Sequence, residues 1–405
     1  MAIIGPAGGN LLDVKSHNVS ALLRAILRHQ PISRVRLARL LGLSTTTVTN
    51  LVAELVEQGL VSEDGTDVLA MSSGAGRLPR ALRFVDDSRY GLGVFIGVRR
   101  VRLILGNLAG RLVDGAMLDH VPGEAPAQTV ERIAAMAGPL LARNGLRAGD
   151  ERLVGVGVGA SGLVANDTGV NLLAPVLGWR DVPLQRLLSE ALDLPVAVDN
   201  NVRSMALAES MYGAGRDVRA LIFLYAQVGV GAGLVVDGAV YRGADYGAGE
   251  IGHWTIIPDG GAPCRCGNTG CLETLISEPA LVELAAQVRP ELRDAGPNPL
   301  QALLAAARGG DEELRRVLAE RSRYLGIALA NLVNVLNPEL ILLGGLLHQG
   351  FDLFQPVVEP VMKERSFATL GRRVQLLPAS FGERSGEVGA VALALNTFLF
   401  QQAGA

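Results

Sequence analysis

The sequence predicts an α/β protein whose body has two α/β lobes and is preceded by a winged helix-turn-helix module. Its 405 residues suffice for two or three domains. In the first ~60 residues, short segments carry apolar residues at the spacing of one helical face. From about Tyr90, strand-like and helix-like runs alternate, and their order then recurs. We expect a module over 1–84 and a body over 85–405, with lobes at roughly 85–212 plus the C-terminal helix and at 213–385.

The composition excludes several classes of protein. Although 49% of the residues are apolar, no run reaches the roughly 18 apolar residues that a membrane helix needs. The first residues lack the basic and apolar regions of a secretory signal, so we expect a cytoplasmic protein with no membrane partner. With 19% charged residues, the chain is not disordered by composition.

Charge is distributed unevenly along the chain. Residues 1–80 carry 8 basic and 6 acidic side chains, a net +2, and the remainder carries 29 and 34, a net −5. Six basic and no acidic residues lie between Asp13 and Glu54. This basic stripe predicts a polyanion-binding module at the N-terminus.

The N-terminal module reads as three helices and a wing. Apolar spacing predicts a first helix over 17–30, which Pro31 ends. Ser33 and Ser44 are suitable N-caps for a second and a third helix, with a Gly-containing turn between them. Two extended runs around turn residues follow over 61–85, which is typical of a winged module.

Residue types in this module favour DNA. Hydroxyl and amide side chains at the start of a recognition helix reach base edges in the major groove, and arginines neutralise phosphates. An arginine in the wing reaches a minor groove. The alternative is a helical dimerisation or docking domain with a solvated Ser/Thr face. The predicted DNA-binding residues are Arg34, Arg36, Arg39, Ser44, Thr45, Thr46, Thr47, Thr49, Asn50 and Arg77.

The three cysteines point to a metal. Cys264, Cys266 and Cys271 fall within eight residues, and an odd, clustered set argues against disulfides. His253 completes a donor set of three sulfurs and one imidazole, which is typical of a structural zinc site with no position for catalytic water. The alternatives are a redox-sensing trio of thiols and a histidine that belongs to the core.

The body repeats an order of strands and helices. Three strands, a helix and a buried strand are followed by helix, strand and helix. A hairpin, several helices, two more strands and a last helix complete the chain. The predicted runs are 91–97, 101–108, 110–118, 129–143, 153–159, 183–192, 195–200, 202–213, 220–243, 278–336, 339–345, 374–380 and 387–400.

Four segments carry a specific resemblance to a known family. They are GWRDVPL (178–184), GAGLVVDGAVYRGADYGAGEIGH (231–253), CRCGNTGCLE (264–273) and NLVNVLNPELILLGG (331–345). The chain resembles the ROK family of repressors and sugar kinases over essentially its whole length, including the winged helix of the repressor branch. The resemblance implies an actin-like, ribonuclease-H-like fold for the body.

The resemblance also implies a sugar site. In the family's kinases the metal-binding histidine faces the sugar, together with a glutamate three residues before it and one just after the last cysteine. Carboxylates and an imidazole suit a polyhydroxylated ligand. The alternative is that the two glutamates only support the zinc ligands. The implied effector-binding residues are Ser161, Gly162, Asn200, Asn201, Glu250, His253 and Glu273.

The catalytic base of the family's kinases is missing. Those kinases carry an Asp eight residues before a helical Glu, and counting back from Glu209 gives Asn201, whose amide cannot accept a proton. Asp199 is two residues out of register. The first phosphate loop, Asp-x-Gly-Gly-Thr in the kinases, reads FIGVR at 95–99.

Two further positions depart from the kinase pattern. Gln227-Val228 replaces the Gly-Thr entry of the second phosphate loop, and Val176 replaces a sugar-binding Asn. We therefore predict a non-catalytic transcriptional repressor of sugar metabolism genes, which binds a palindromic operator as a homodimer or homotetramer and responds to a sugar between the lobes. The alternatives are a sugar kinase fused to a DNA-binding module and a regulator controlled by a protein partner.

Overall fold

The structure, a computed structural model, describes residues 11–67, 79–121, 123–293 and 296–401. The chain divides into two compact units. Unit 1 consists of Met1–Asp199 and Ala390–Ala405, and unit 2 is Asn200–Gly389. Because the N-terminal module and the first lobe fall in one unit, this division does not test the predicted boundary after residue 84, which stays a prediction.

The N-terminal module has the predicted winged helix-turn-helix order. Ser33 accepts a hydrogen bond from the Arg36 amide, and Ser44 accepts one from Thr47, so both predicted N-caps are confirmed. Gly42 ends the second helix with a left-handed φ of 65°. The two strands pair antiparallel. The elements are α1 (Leu11–His29), α2 (Arg34–Leu41), α3 (Thr45–Glu57), β1 (Val61–Thr66) and β2 (Arg80–Phe84).

The rest of unit 1 is built on a five-stranded mixed sheet. Its order is β10-β6-β3-β4-β5, with β3 and β6 parallel. Apolar side chains of one face pack against α4 and α5 to form the core. The elements are β3 (Tyr90–Ile96), β4 (Arg100–Asn107), β5 (Leu112–Asp119), α4 (Pro126–Arg143), β6 (Leu153–Ala160), α5 (Leu184–Leu192) and β10 (Val196–Asn200).

A small antiparallel sheet follows β6 and was not predicted from the sequence. Its strands are β7 (Leu163–Ala165), β8 (Val170–Ala174) and β9 (Trp179–Val182). A Cβ at Gly162, where φ is +103°, would lie 2.4 Å from the Leu173 carbonyl oxygen, so the turn after β6 rests directly on β8. Asn171 on β8 donates to the Ser161 carbonyl at 3.0 Å and fixes the same turn.

Unit 2 has a second five-stranded sheet, of order β13-β12-β11-β14-β15, with β11 and β14 parallel. Its core lies between the sheet and the helices that follow Cys271. The elements are α6 (Asn201–Tyr212), β11 (Leu221–Ala226), β12 (Val230–Val236), β13 (Ala239–Tyr241), α7 (Glu273–Ile276), α8 (Glu278–Val288), α9 (Pro299–Arg308), α10 (Glu312–Leu336), β14 (Leu340–Gly345), α11 (Leu346–Gln349), α12 (Phe351–Arg365), α13 (Leu370–Arg373) and β15 (Gln375–Pro378).

The last helix, α14 (Ser385–Leu395), begins in unit 2 and ends in unit 1, where it continues as a π-helical turn over Asn396–Phe400. Throughout the described ranges, no helix combines the length and the apolar character needed to cross a membrane. The helices and strands follow the predicted order, apart from the small sheet β7–β9 and the helices α11–α13 between β14 and β15, which were not predicted.

Candidate functional site

The third helix presents a polar surface at its N-terminal end. Its opposite face is buried through Val48, Leu51, Val52 and Leu55. The Thr47 hydroxyl lies 2.8 Å from the Ser44 hydroxyl and is half-buried. The remaining predicted side chains are exposed and present hydroxyl and amide groups to solvent, namely Ser44, Thr45, Thr46, Thr49 and Asn50.

The predicted arginines of α2 have different environments. Arg34 pairs with Glu63 at 2.8 Å, and Arg36 pairs with Asp67 at 2.9 Å, so both tie α2 to the wing strand. Arg39 is exposed, and the described ranges contain no ion pair of it. Arg77 lies outside the described residues. The intramolecular partners of Arg34 and Arg36 could not be anticipated from a basic stripe, because they come from β1 and the residue after it.

Asp67 is a buried carboxylate that fastens the wing to the start of α2. It is 0% exposed and accepts hydrogen bonds from the Ser33 amide at 2.7 Å and from Arg36 at 2.9 Å. Burial alone raises the pKa of Asp67, but the hydrogen bonds from Ser33 and Arg36 outweigh it and lower the pKa below its ordinary value. The charged form is therefore the one that the folded module stabilises.

We expect an Asp67→Asn variant to change the acid stability of the module. A carboxyl whose pKa is lowered by folding stabilises the folded state above its unfolded-state pKa of about 4, and this contribution is lost as the pH falls through the folded-state pKa. Thermal unfolding from about pH 3 to pH 7 should show a weaker pH dependence in the variant, with about 1–3 kcal/mol less stability near neutrality. The exposed Asp64→Asn is the matched control. Equal acid sensitivity in the parent and both variants would contradict this role.

The four predicted metal ligands converge in unit 2. Nδ1 of His253 lies 3.6 Å from Sγ of Cys264, and Sγ of Cys266 lies 3.7 Å from Sγ of Cys271. All four donor atoms lie within 4.8 Å of one another. Bonds of about 2.3 Å to sulfur and about 2.0–2.1 Å to nitrogen in a tetrahedron place two sulfurs about 3.8 Å apart and a sulfur and a nitrogen about 3.6 Å apart. The donor set fits a tetrahedral metal ion.

The backbone of the cysteine loop explains how the sulfurs converge. The Cys264 amide donates to the Asn268 carbonyl at 2.7 Å, which closes the loop on itself. Gly270 has a φ of +68°, and a Cβ there would lie 1.8 Å from the Ile257 carbonyl oxygen. Glycine at this position therefore lets the loop turn back on itself.

The pKa shifts of the three thiols indicate that a cation between them would stabilise their deprotonated forms. Burial and the neighbouring sulfurs of Cys266 and Cys264 raise the pKa of Cys271 to about 12. Burial also raises the pKa of Cys264, whereas the Asn268 amide lowers that of Cys266. Three adjacent thiolates repel one another, and a divalent metal ion compensates that charge and keeps them deprotonated. A metal such as zinc can bind at this cluster.

The two predicted glutamates behave differently. Glu273 is 6% exposed, and both carboxylate oxygens are engaged, one by the Val230 amide at 3.1 Å and the other by Arg265 at 2.9 Å. Glu250 is an exposed residue just before the 3-10 turn that carries His253. Partial burial raises the pKa of Glu250, although His253 and Arg203 oppose this effect.

The predicted effector residues are distributed over both units. Ser161 and Gly162 belong to unit 1, and the other five belong to unit 2. Asn200 is the N-cap of α6 and accepts hydrogen bonds from the Val202 and Arg203 amides. Asn201 begins the helix and is 9% exposed, and its side-chain oxygen accepts a hydrogen bond from the Val202 amide at 3.0 Å.

The register that identifies Asn201 rests on a buried carboxylate. Glu209 is 0% exposed and accepts hydrogen bonds from the Ser380 amide at 2.7 Å and the Ser380 hydroxyl at 2.6 Å. Burial raises the pKa of Glu209. Glu209 lies in the last turn of α6. The residue eight positions before it is Asn201, which is the first residue of that helix and carries an amide side chain.

Sequence reasoning missed the contacts that Arg265 and Gln227 make in this region. Arg265, inside the cysteine loop, pairs with Glu273 and also donates to the Val228 carbonyl. Gln227, at the entry of the Gly-rich turn after β11, donates to the buried Glu278 at 2.5 Å. Arg265 between two cysteines was a visible signal, whereas the Gln227–Glu278 contact joins positions 51 residues apart and has no local signature.

Comparison with known proteins covers the chain in two parts. The ROK family matches residues 91–397, and the MarR family matches residues 14–67. A putative xylose repressor of Caldicellulosiruptor sp. is 31% identical, over 96% of this chain and 98% of that protein. An N-acetylglucosamine repressor of Escherichia coli O157:H7 is 29% identical over 96% of this chain and 95% of that protein. A glucokinase of Halalkalibacterium halodurans is 32% identical over 74% and 93%.

Solved structures show the same division. A ROK family transcriptional regulator, a homologue of the E. coli MLC protein, superposes with a TM-score of 0.80 at 27% identity, over 96% of this chain and 98% of that one. A Streptomyces griseus ROK glucokinase with glucose and AMPPNP gives 0.66 at 27% identity, over 75% and 98%. The predicted fold class, a winged helix-turn-helix followed by a two-lobed actin-like body, is thereby confirmed, and the chain belongs to the ROK family.

Proposed function

We propose that this chain is a DNA-binding repressor controlled by a sugar, and that its ROK domain senses the sugar without phosphorylating it. The observation that carries the proposal is the exposed polar face of α3 in a MarR-like module on the same chain as a ROK domain. The relatives named as repressors match 96% of this chain, whereas the glucokinase relative matches 74%. The N-terminal module therefore belongs to the part shared with the repressors.

The proposed DNA contacts follow from the surface of the module. The start of α3 enters the major groove, where Thr46 and Asn50 reach base edges, and Arg39 on α2 neutralises a phosphate. Arg34 and Arg36 hold the wing through their ion pairs with Glu63 and Asp67. They contact phosphates only through the guanidinium nitrogens that these ion pairs leave available. Two copies bind a palindromic operator whose half-sites lie about 34–36 Å apart, as is usual for helix-turn-helix dimers.

Variants of these residues should separate affinity from sequence preference. Arg39→Ala should weaken binding to every DNA sequence and reduce the salt dependence by about one phosphate contact. Thr46→Ala and Asn50→Ala should change base preference instead, by about 1–3 kcal/mol at the contacted positions. Fluorescence anisotropy at several salt concentrations measures both effects. Arg316→Ala, an exposed arginine of α10, is the control. An Arg39→Ala variant with the parent salt slope contradicts this placement of α2.

The metal in this proposal is a structural Zn²⁺. His253, Cys264, Cys266 and Cys271 hold it, and it supplies a fixed cross-link between the cysteine loop and the 3-10 turn of Ile251–His253. Since four protein ligands fill a tetrahedron, the site provides rigidity and no bound water for catalysis. The cross-link keeps Glu250 at a constant position beside His253.

The proposed effector is a sugar bound by Ser161, Gly162, Asn200, Asn201, Glu250, His253 and Glu273. Glu250 is an exposed residue, whereas both carboxylate oxygens of Glu273 are engaged, so Glu250 is the acceptor for two adjacent hydroxyls. Glu273 supports the site indirectly. It accepts a hydrogen bond from the Val230 amide and pairs with Arg265, and these two contacts position the turn before β12 and the cysteine loop. Xylose, glucose and N-acetylglucosamine, which are named in the relatives, form the sugar panel for the experiments below.

The proposal that the domain is not an enzyme has a direct test. The first residue of α6 is Asn201, an amide that cannot take a proton from an attacking hydroxyl. We expect no ATP-dependent phosphorylation of any sugar of the panel in a coupled assay, with a ROK glucokinase as the positive control. Turnover that an Asn201→Ala variant abolishes would establish the sugar kinase instead.

A further inference from the structure

The C-terminal helix, defined here as α14 together with its π-helical end (Ser385–Phe400), makes close backbone contacts with its neighbours at several glycines. In unit 2, a Cβ built on Gly389 would lie 2.9 Å from the backbone nitrogen of Met205 in α6. In unit 1, a Cβ on Gly157 of β6 would lie 2.2 Å from the Ala390 carbonyl oxygen and 2.5 Å from the Ala394 nitrogen. Backbone therefore meets backbone on both sides of the unit boundary.

The same contact extends along the sheet of unit 1. A Cβ on Gly93 would lie 2.9 Å from the Val391 nitrogen, and one on Gly106 would lie 2.5 Å from Cγ1 of Val391. Close-packed interiors have low compressibility and transmit displacements. Since the contacts at Gly389, Gly93 and Gly157 meet backbone atoms directly, we expect the C-terminal helix to follow a movement of α6 at Met205.

The π-helical end contacts the DNA-binding module. Phe400 is 1% exposed, and its ring meets that of Phe84 on β2 edge to face, with the centroids 6.0 Å apart. α1 also contacts this π-helical turn. The Phe398 ring lies over Gly155, where a Cβ would be 2.6 Å from Cδ2, so the turn is clamped on β6 as well. π-helical turns occur frequently at functional sites.

The other end of this chain of contacts reaches the residues at the start of α6. The Ser204 hydroxyl donates to the Asn200 carbonyl at 3.0 Å. The Cβ position of Gly389 also lies 2.9 Å from the carbonyl carbon of Ser204. One turn of α6 therefore separates Asn200 and Asn201 from the glycine contact with the C-terminal helix.

We propose that the C-terminal helix couples the sugar site at the start of α6 to the DNA-binding module, and that Phe400 is the positioning residue at its far end. This inference rests on the proposed function. Sugar binding at Asn200 and Asn201 shifts α6, the glycine contacts carry the shift along the helix, and the Phe400–Phe84 contact reorients the wing and α1. Coupling by a rigid element requires that both sites bias the same movement.

The experiment measures coupling in the full-length protein. An operator fragment is first selected from random DNA with the parent protein, and its dissociation constant is measured with and without each sugar of the panel. The sugar dissociation constant is measured with and without DNA, since linkage requires the same factor from both sides. We expect a factor of about 5–150 for the parent protein. A parent that binds DNA but shows a factor of one with every sugar overturns the proposed function itself.

The variants then test the coupling helix. In Phe400→Ala, we expect the sugar dissociation constant in the absence of DNA to stay within about twofold of the parent, and the coupling factor to fall to within about twofold of one. Phe367→Ala removes a phenylalanine that is 75% exposed in unit 2, and it should keep the parent factor. The conservative Phe400→Leu should fold and show an intermediate factor, so the test holds even if Phe400→Ala is unstable. A folded Phe400→Ala or Phe400→Leu with the full parent factor overturns the proposal, as does a loss of sugar binding itself.

Discussion

A Cys271→Ser variant should lose its metal and unfold at a much lower temperature than the parent protein. Cys271 is 0% exposed, and its sulfur belongs to a donor set whose spacing fits a tetrahedral ion. Structural zinc contributes about 10–16 kcal/mol to the folding of small zinc-finger peptides at pH 7. Because unit 2 also has a large apolar core, we expect a loss of several kcal/mol rather than complete unfolding.

The measurement combines metal analysis by mass spectrometry with thermal unfolding. The parent protein should contain one zinc per chain, and a chelator should lower its melting temperature to that of the variant. The same chelator should leave the variant unchanged, which serves as the internal control. A variant with full metal content and the parent melting temperature would refute the metal site. Metal-free protein of unchanged stability would favour the alternative of a redox-sensing thiol trio.

A Gly157→Ala variant should be destabilised by about 3 kcal/mol, at the upper end of the cost of overpacking a core. The added methyl group would meet the Ala390 carbonyl oxygen at 2.2 Å and the Ala394 nitrogen at 2.5 Å. Both are backbone atoms of α14, which cannot turn away as a flexible side chain can. The helix must move off β6, and the contacts of Gly93 and Gly106 with Val391 are lost with it.

Gly138→Ala is the matched control for this variant. Gly138 is exposed in α4, and a Cβ there would meet nothing within 4 Å. Alanine is the better helix former by about 1 kcal/mol, so the control should be neutral or stabilising. Chemical denaturation of both variants gives the comparison. Equal stability of Gly157→Ala and the parent would show that α14 has more freedom on the sheet than its packing indicates.

The features that the sequence predicted are those with local signatures. Ser33 and Ser44 predict the start of two helices because their hydroxyls can cap them, and the spacing of the cysteines predicts a metal site. The sheet β7–β9 was missed because its strands are three to five residues long and lie among turn residues. The roles of Arg34 and Arg36 were also missed, since their partners Glu63 and Asp67 lie about 30 residues away and long-range pairing leaves no periodic pattern.

The candidate effector site shows the same limit. The resemblance singled out both Glu250 and Glu273 as sugar ligands, yet the oxygens of Glu273 are engaged by Val230 and Arg265. Only the folded chain distinguishes an accessible carboxylate from one that supports a loop. The packing of α14 on glycines likewise follows from close approaches between distant segments, which composition alone does not reveal.

The most direct test of the account is the affinity of the full-length protein for its selected operator, measured by fluorescence anisotropy with and without each sugar of the panel. We predict a palindromic operator and at least one sugar that changes the dissociation constant of the protein–operator complex about fivefold or more. The same sugar with ATP should yield no phosphorylated product. An operator affinity that no sugar alters, together with accumulation of a phosphorylated sugar, would contradict the account.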